Sequence, residues 1–205
     1  MKRKNVLFAL CLMAMSVCSY AQTQSGILFG GGLGFENTSL DKSNPTYIKG
    51  KVFSDSYSYS TFLGYRFRFE NVSNKNLFFD IDPLMKLQVF KSSIIPLLYQ
   101  NPPYSEIIEE SHKVNYALAI SSSINYRISG GLYIGAGIEP TWNIVTDGKH
   151  LDAPVLGRIG YNCHGKVDFA LTYKHGFTNV INTDRYTKGR ISDLSLSVFI
   201  PFKSK

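Results

Sequence analysis

From residue 26 onward the chain alternates large apolar residues with small or polar ones, and the period is two. In 190–202, Leu194, Leu196, Val198, Ile200 and Phe202 fall on one parity, with Ser195 and Ser197 on the other. In 166–175, Val167, Phe169, Leu171 and Tyr173 oppose Asp168, Ala170, Thr172 and Lys174. Successive side chains of a strand point to opposite faces, so this pattern predicts strands with two chemically different surfaces. Eight such segments are expected, near 26–36, 56–69, 76–89, 113–127, 132–145, 153–162, 166–175 and 190–202.

The non-greasy face decides which way these strands turn. It holds Ser, Gly, Ala and Asn and few lysines or glutamates, whereas a strand face in water carries long charged side chains. A narrow barrel lumen has room for small, hydrogen-bonding groups, so the expected arrangement is inverted, apolar outside and polar inside. In lipid every strand edge must be paired, which requires closure. The predicted fold is therefore all-β: an eight-stranded antiparallel up-and-down transmembrane β-barrel. Short links after the second, fourth and sixth strands alternate with longer ones, including about 37–55 and 90–112, as for short inner turns and longer outer loops.

Parity also sorts the aromatic residues. Phe35, Tyr57, Tyr59, Tyr116, Trp142 and Tyr173 are expected outward near the loop end, and Phe67, Phe69, Tyr126, Tyr161 and Phe202 outward near the turn end. Rings with an apolar body and a polar edge favour the two headgroup layers.

The N-terminus changes the picture of location. Met1-Lys2-Arg3-Lys4, the apolar run Val6 to Met15, and Ser19-Tyr20-Ala21 read as a signal peptide over 1–21, leaving 22–205 as one barrel domain. Cys18 follows valine rather than a small residue, which argues against lipidation. Losing Lys2, Arg3 and Lys4 takes the net charge from +7 to +4, so the basic balance is no argument for nucleic acid. Cys11 and Cys18 leave with the signal, and Cys163 then has no intramolecular disulfide partner.

At this point the chain resembles the small outer-membrane β-barrel families, especially the PorT-like barrel proteins of Bacteroidota. Tyr173-Lys174-His175-Gly176-Phe177-Thr178-Asn179-Val180-Ile181 looks like the Tyr-x-x-Gly-Leu-Thr-Asn-Ile pattern such barrels carry before their last strand. The last strand resembles a barrel-assembly signal, although Lys203-Ser204-Lys205 follow its phenylalanine. The resemblance implies a Gram-negative outer membrane, lipopolysaccharide neighbours and folding by the barrel-assembly machinery. It fixes no activity, since members differ in role.

Candidate chemistry lies on the inward parity. Arg66 and Arg68 are expected to face Asp80 and Asp82 across a short turn, Glu139 to adjoin Arg158, and Lys86, Asp168 and Lys174 to complete a lumen of both signs. Charges in so narrow a space must pair. Such pairs read as a plug or as a gated ion path.

Catalysis is not expected. His175 with Thr178 superficially resembles the rim histidine of lipid A-modifying barrels, but Phe177 stands where the second residue of a His-x-Ser pair would be, and spacing supplies no triad. His112, His150 and His164 lack metal-ligand spacing, and the glycine runs 30–34 and 135–137 are not followed by a helix; no cofactor or metal is expected. In the second long loop Ile94, Ile95, Leu97, Leu98 and Tyr99 form an apolar stretch that reads as a contact surface or a lid.

The leading expectation is a non-enzymatic outer-membrane barrel with a structural or interaction role, through an envelope or extracellular partner at its loops. Alternatives are a narrow carrier like OmpW, an accessory factor in secretion or envelope assembly, and a lipid A-modifying enzyme.

Overall fold

The computed structural model describes residues 21–39, 51–71, 74–96, 109–144, 151–177 and 188–202. Of the signal peptide expected over 1–21, residues 1–20 lie outside the described residues and Ala21 begins β1. The chain forms β1 (Ala21–Ser39), β2 (Lys51–Asn71), β3 (Leu77–Pro96), β4 (Glu109–Ser129), β5 (Leu132–Ile138), β6 (Thr141–Asn143), β7 (Leu151–Asp152), β8 (Val155–Cys163), β9 (Val167–His175) and β10 (Lys188–Pro201).

Ten segments make eight barrel strands. β5 and β6 are one strand interrupted at Glu139-Pro140, and β7 and β8 another interrupted at Ala153-Pro154. Proline has no N–H for the ladder. Its carbonyl still serves: Ile120 N–H donates to Pro140 O and Glu139 N–H to Pro154 O, both at 2.9 Å. The register passes through both breaks unchanged, with Ser122 opposite Ile138 before the first and Ala119 opposite Thr141 after it.

Every neighbouring pair is antiparallel, and the ring closes where β1 meets β10, from Gly26 opposite Pro201 to Ser39 opposite Lys188. Among the described residues the strands thus pair all the way around the ring. The eight-stranded barrel expected from the sequence is the observed fold.

The loop-side ends of the first four strands run further than expected. The polar stretch Ser54-Asp55-Ser56 pairs with Lys91-Ser92-Ser93, and Ser92-Ser93 with Glu110-Ser111, so the ladder outlasts the apolar alternation. The backbone gains the same bonds where both faces are polar, and periodicity cannot register such a segment. Ile94 and Ile95 consequently belong to β3, not to a loop, while Leu97, Leu98 and Tyr99 lie outside the described residues.

The short connections are tight. Gly130 and Gly131 have φ of 57° and 95°, which makes the two-residue hairpin between β4 and β5 a mirror-image turn that matches strand twist. His164 at φ 52° and Gly165 at 72° begin the turn between β8 and β9.

Polarity is inside out. Leu63, Met85, Ile124 and Leu196 are exposed along the outer wall, whereas Arg66 and Arg68 are 0% exposed. Among the described residues, buried polar and charged ones outnumber buried apolar ones. The lumen is less uniformly small than the sequence implied: Phe62, Phe78, Tyr133 and Phe199 also point inward. Glycines opposite make room for two of them. A Cβ on Gly160 would sit 2.2 Å from the Tyr133 ring, and one on Gly30 would sit 2.6 Å from that of Phe62.

Candidate functional site: the charged lumen

The first charge cluster is written by the β2–β3 register, which sets Arg68 directly opposite Asp80. Arg66 grips Asp82 with two parallel bonds of 2.7 Å, from Nε to Oδ1 and from Nη2 to Oδ2. Arg68 grips Asp80 in the same way at 2.8 and 3.0 Å, and its Nη1 donates to Asp168 of β9. From the far wall, Arg158 of β8 reaches Asp82 at 3.2 Å and Asp80 at 3.5 Å, and bonds Ser123 and Thr172. Three guanidiniums thus meet three carboxylates. The Arg68 guanidinium also lies 4.3 Å from the centre of the Phe78 ring, with Tyr133 and Phe199 around it.

The fork shape of guanidinium explains why arginine fills this role, since it satisfies both carboxylate oxygens while fixing their orientation. Removing one partner of such a buried pair typically costs about 3–5 kcal/mol, because the other is left charged and dry.

A second cluster lies toward the loop end. Lys86 of β3 donates to Glu139 Oε1 at 2.8 Å, and Lys174 of β9 meets Glu139 at 3.1 Å on Oε1 and 2.9 Å on Oε2. Asp193 of β10 stands 3.8 Å from both lysines. Lys174 also rests 5.4 Å from the centre of the Phe62 ring. Beyond this cluster the Asn115 amide donates to Gln88 and Asn143, each at 2.9 Å.

The structure places all nine inward charges in the lumen but changes one partnership. Glu139 does not adjoin Arg158. The β5–β8 register sets Gly135, not Glu139, across from Arg158, and Glu139 lies four residues nearer the loop end, facing the two lysines. Asp193 and Asp152 are further buried carboxylates that the sequence reading missed. Parity alone would have found Asp193, which precedes the outward Leu194 and pairs with Lys174 across the β9–β10 hairpin.

On the outer wall Phe35, Tyr59, Phe67, Tyr116, Tyr126, Trp142, Tyr161, Tyr173 and Phe202 are exposed and Phe69 is half-buried; the Tyr57 side chain lies outside the described residues.

Solved structures similar to this chain include three with a likeness in fold at low identity. They are the outer membrane protein OprG from Pseudomonas aeruginosa (TM-score 0.49, 11% identity, covering 89% of this chain and 95% of that one), Neisserial surface protein A (0.42, 12%, 88% and 96%), and Ail, the attachment invasion locus protein of Yersinia pestis, in complex with the heparin analogue sucrose octasulfate (0.39, 11%, 88% and 99%). No family model matches the chain, and no curated protein matches its sequence.

His175 is the last residue of β9. Its Nδ1 lies 3.1 Å from Ser192 Oγ, directly opposite in the β9–β10 register, and its ring packs between those of Tyr173 and Phe177. Among the described residues no carboxylate bonds it; Thr178 lies outside them. A serine hydrolase needs an acid to orient the histidine. Among the described residues, no group of three or more His, Cys, Asp or Glu is placed to hold a metal ion.

Proposed function

We propose that this chain is an exported outer-membrane β-barrel, of the PorT-like kind in a Gram-negative bacterium, whose lumen carries no solute. Its task is a structural or interaction role at the loop end rather than catalysis. The observation that carries this reading is the filled lumen, in which arginines and aspartates from opposite walls bond one another across the barrel. A porin keeps such a space open; a barrel built to hold a shape and display loops fills it.

The outer wall supports the membrane placement. Tyr59 and Phe69 on β2, like Tyr116 and Tyr126 on β4, are separated by ten residues. At about 3.3 Å per residue and a tilt of about 40°, two aromatic bands lie about 25 Å apart, the height of an outer-membrane apolar belt. Lipid and lipopolysaccharide are then the partners of the wall, and the strand leading into Phe202 serves the barrel-assembly machinery. A carrier like OmpW would need an apolar passage, and the charges of this lumen weigh against one.

The test pairs two measurements on the folded protein. In planar bilayers it is expected to give no steady conductance, and photocrosslinkers in segment 97–108, between β3 and β4, are expected to capture an envelope or extracellular protein in cells. A steady wild-type conductance would overturn the closed-lumen reading. Loops that capture only lipopolysaccharide would remove the partner and leave a structural role, while a secretion or assembly component among the captured proteins would define the role as accessory.

A further inference from the structure

The two charge clusters are built from different chemistry at different heights. On β3, Lys86 follows Asp82 by four residues, about 13 Å of strand at about 3.3 Å per residue. Leu84 stands between them and packs with Leu28, Phe62, Ala119 and, from β10, Phe199. Each cluster crosses the lumen on its own. The first ties β2 and β3 to β8 and β9; the second ties β3 to β9 through Glu139, at the β5–β6 break, with Asp193 of β10 beside both lysines. In the ring, β2 and β3 stand opposite β8 and β9.

We infer that the barrel is closed twice in series, by an arginine–aspartate plug toward the turn end and a lysine–glutamate plug toward the loop end, and that either one alone blocks ions. The inference rests on the closed-lumen reading and goes beyond it. The first plug is fixed by two bidentate forks. The second is held by point charges: both lysines share Glu139, and Asp193 waits at 3.8 Å as an alternative partner, beyond hydrogen-bond length. A cavity of about 20 Å³ beside Lys86, Lys174 and Asp193 has room for about one water, not for a hydrated ion.

Charge-balanced deletions separate the two plugs. R66A/D82A removes one fork and its carboxylate; K86A/E139A removes the centre of the other plug and leaves Lys174 with Asp193. Each double variant, folded by heat-modifiable gel mobility, is expected to be as silent as wild type in planar bilayers with potassium chloride. The quadruple variant is expected to gain a steady conductance. Either double variant conducting like the quadruple, with wild type silent, would overturn serial closure and leave the closed-lumen reading intact. A folded but silent quadruple variant would also overturn it, by locating the block elsewhere. Should the quadruple variant not fold, serine at the same four positions, R66S/D82S/K86S/E139S, removes the same charges and leaves hydrogen-bonding groups in the lumen; a steady conductance supports the inference and silence overturns it.

Discussion

Gly157 and Gly160 show how much two positions three residues apart on one strand can differ. Gly157 faces outward and a Cβ there would meet nothing within 4 Å, whereas at Gly160 it would meet the Tyr133 ring at 2.2 Å. Gly160→Val is therefore expected to destabilise the barrel by about 1–3 kcal/mol, the usual cost of overpacking. Gly157→Val is expected to be neutral or stabilising, since a β-branched side chain suits an outer strand face. Urea unfolding in lipid vesicles, followed by the fluorescence of Trp142, the one tryptophan, checks both. Equal losses at the two sites would contradict the assignment of faces. Much at this scale was legible beforehand: parity alone put Arg66, Arg68, Asp80 and Asp82 on one inward face, and a short turn put them near one another. The Glu139 partners were not legible, because they depend on side chains reaching across the lumen from β3 and β9, which local spacing does not encode.

The turns and breaks belong to the next scale. In the β4–β5 hairpin, Gly130 has a left-handed φ of 57° with open space around it, and Gly131 combines φ 95° with an Asn162 carbonyl 2.5 Å from where a Cβ would sit. Gly130→Asn is expected to fold as wild type, since asparagine tolerates that conformation at this turn position. Gly131→Ala is expected to lose about 1–2 kcal/mol from backbone strain alone, with the clash added. Refolding yield into detergent, scored by heat-modifiable mobility, ranks the two variants; the reverse order would refute the turn assignment. Strand existence and face were readable here because an apolar outer wall and a polar lumen impose a strict period of two. Strand ends were not, because Ser54-Asp55-Ser56 and Ser92-Ser93 extend the ladder without apolar residues. Nor were the interruptions at Pro140 and Pro154, where neighbouring strands supply donors to the proline carbonyls and keep the register.

For the molecule as a whole, the exposed outer wall makes a direct prediction about its surroundings. Trp142 is 62% exposed at the loop-side rim, its side chain on the outer wall. In reconstituted vesicles its fluorescence is expected to be quenched by brominated lipid and shielded from aqueous iodide. Iodide quenching without bromolipid quenching would place that wall in water and sink the membrane reading. This inversion was the most legible property of the sequence, since it rests on the sum of many positions and not on any one contact.

The seam between β1 and β10 ties Gly26 to Pro201 and Phe29 to Val198, residues nearly the whole chain apart. Loop-closure entropy makes such a junction the slowest to form, and neither flanking strand has its full set of backbone bonds until it does. Every intermediate before that moment carries two open ribbons that would pair with another copy as readily as with each other. Copies of this barrel must therefore stay apart from one another until the first and last strands meet.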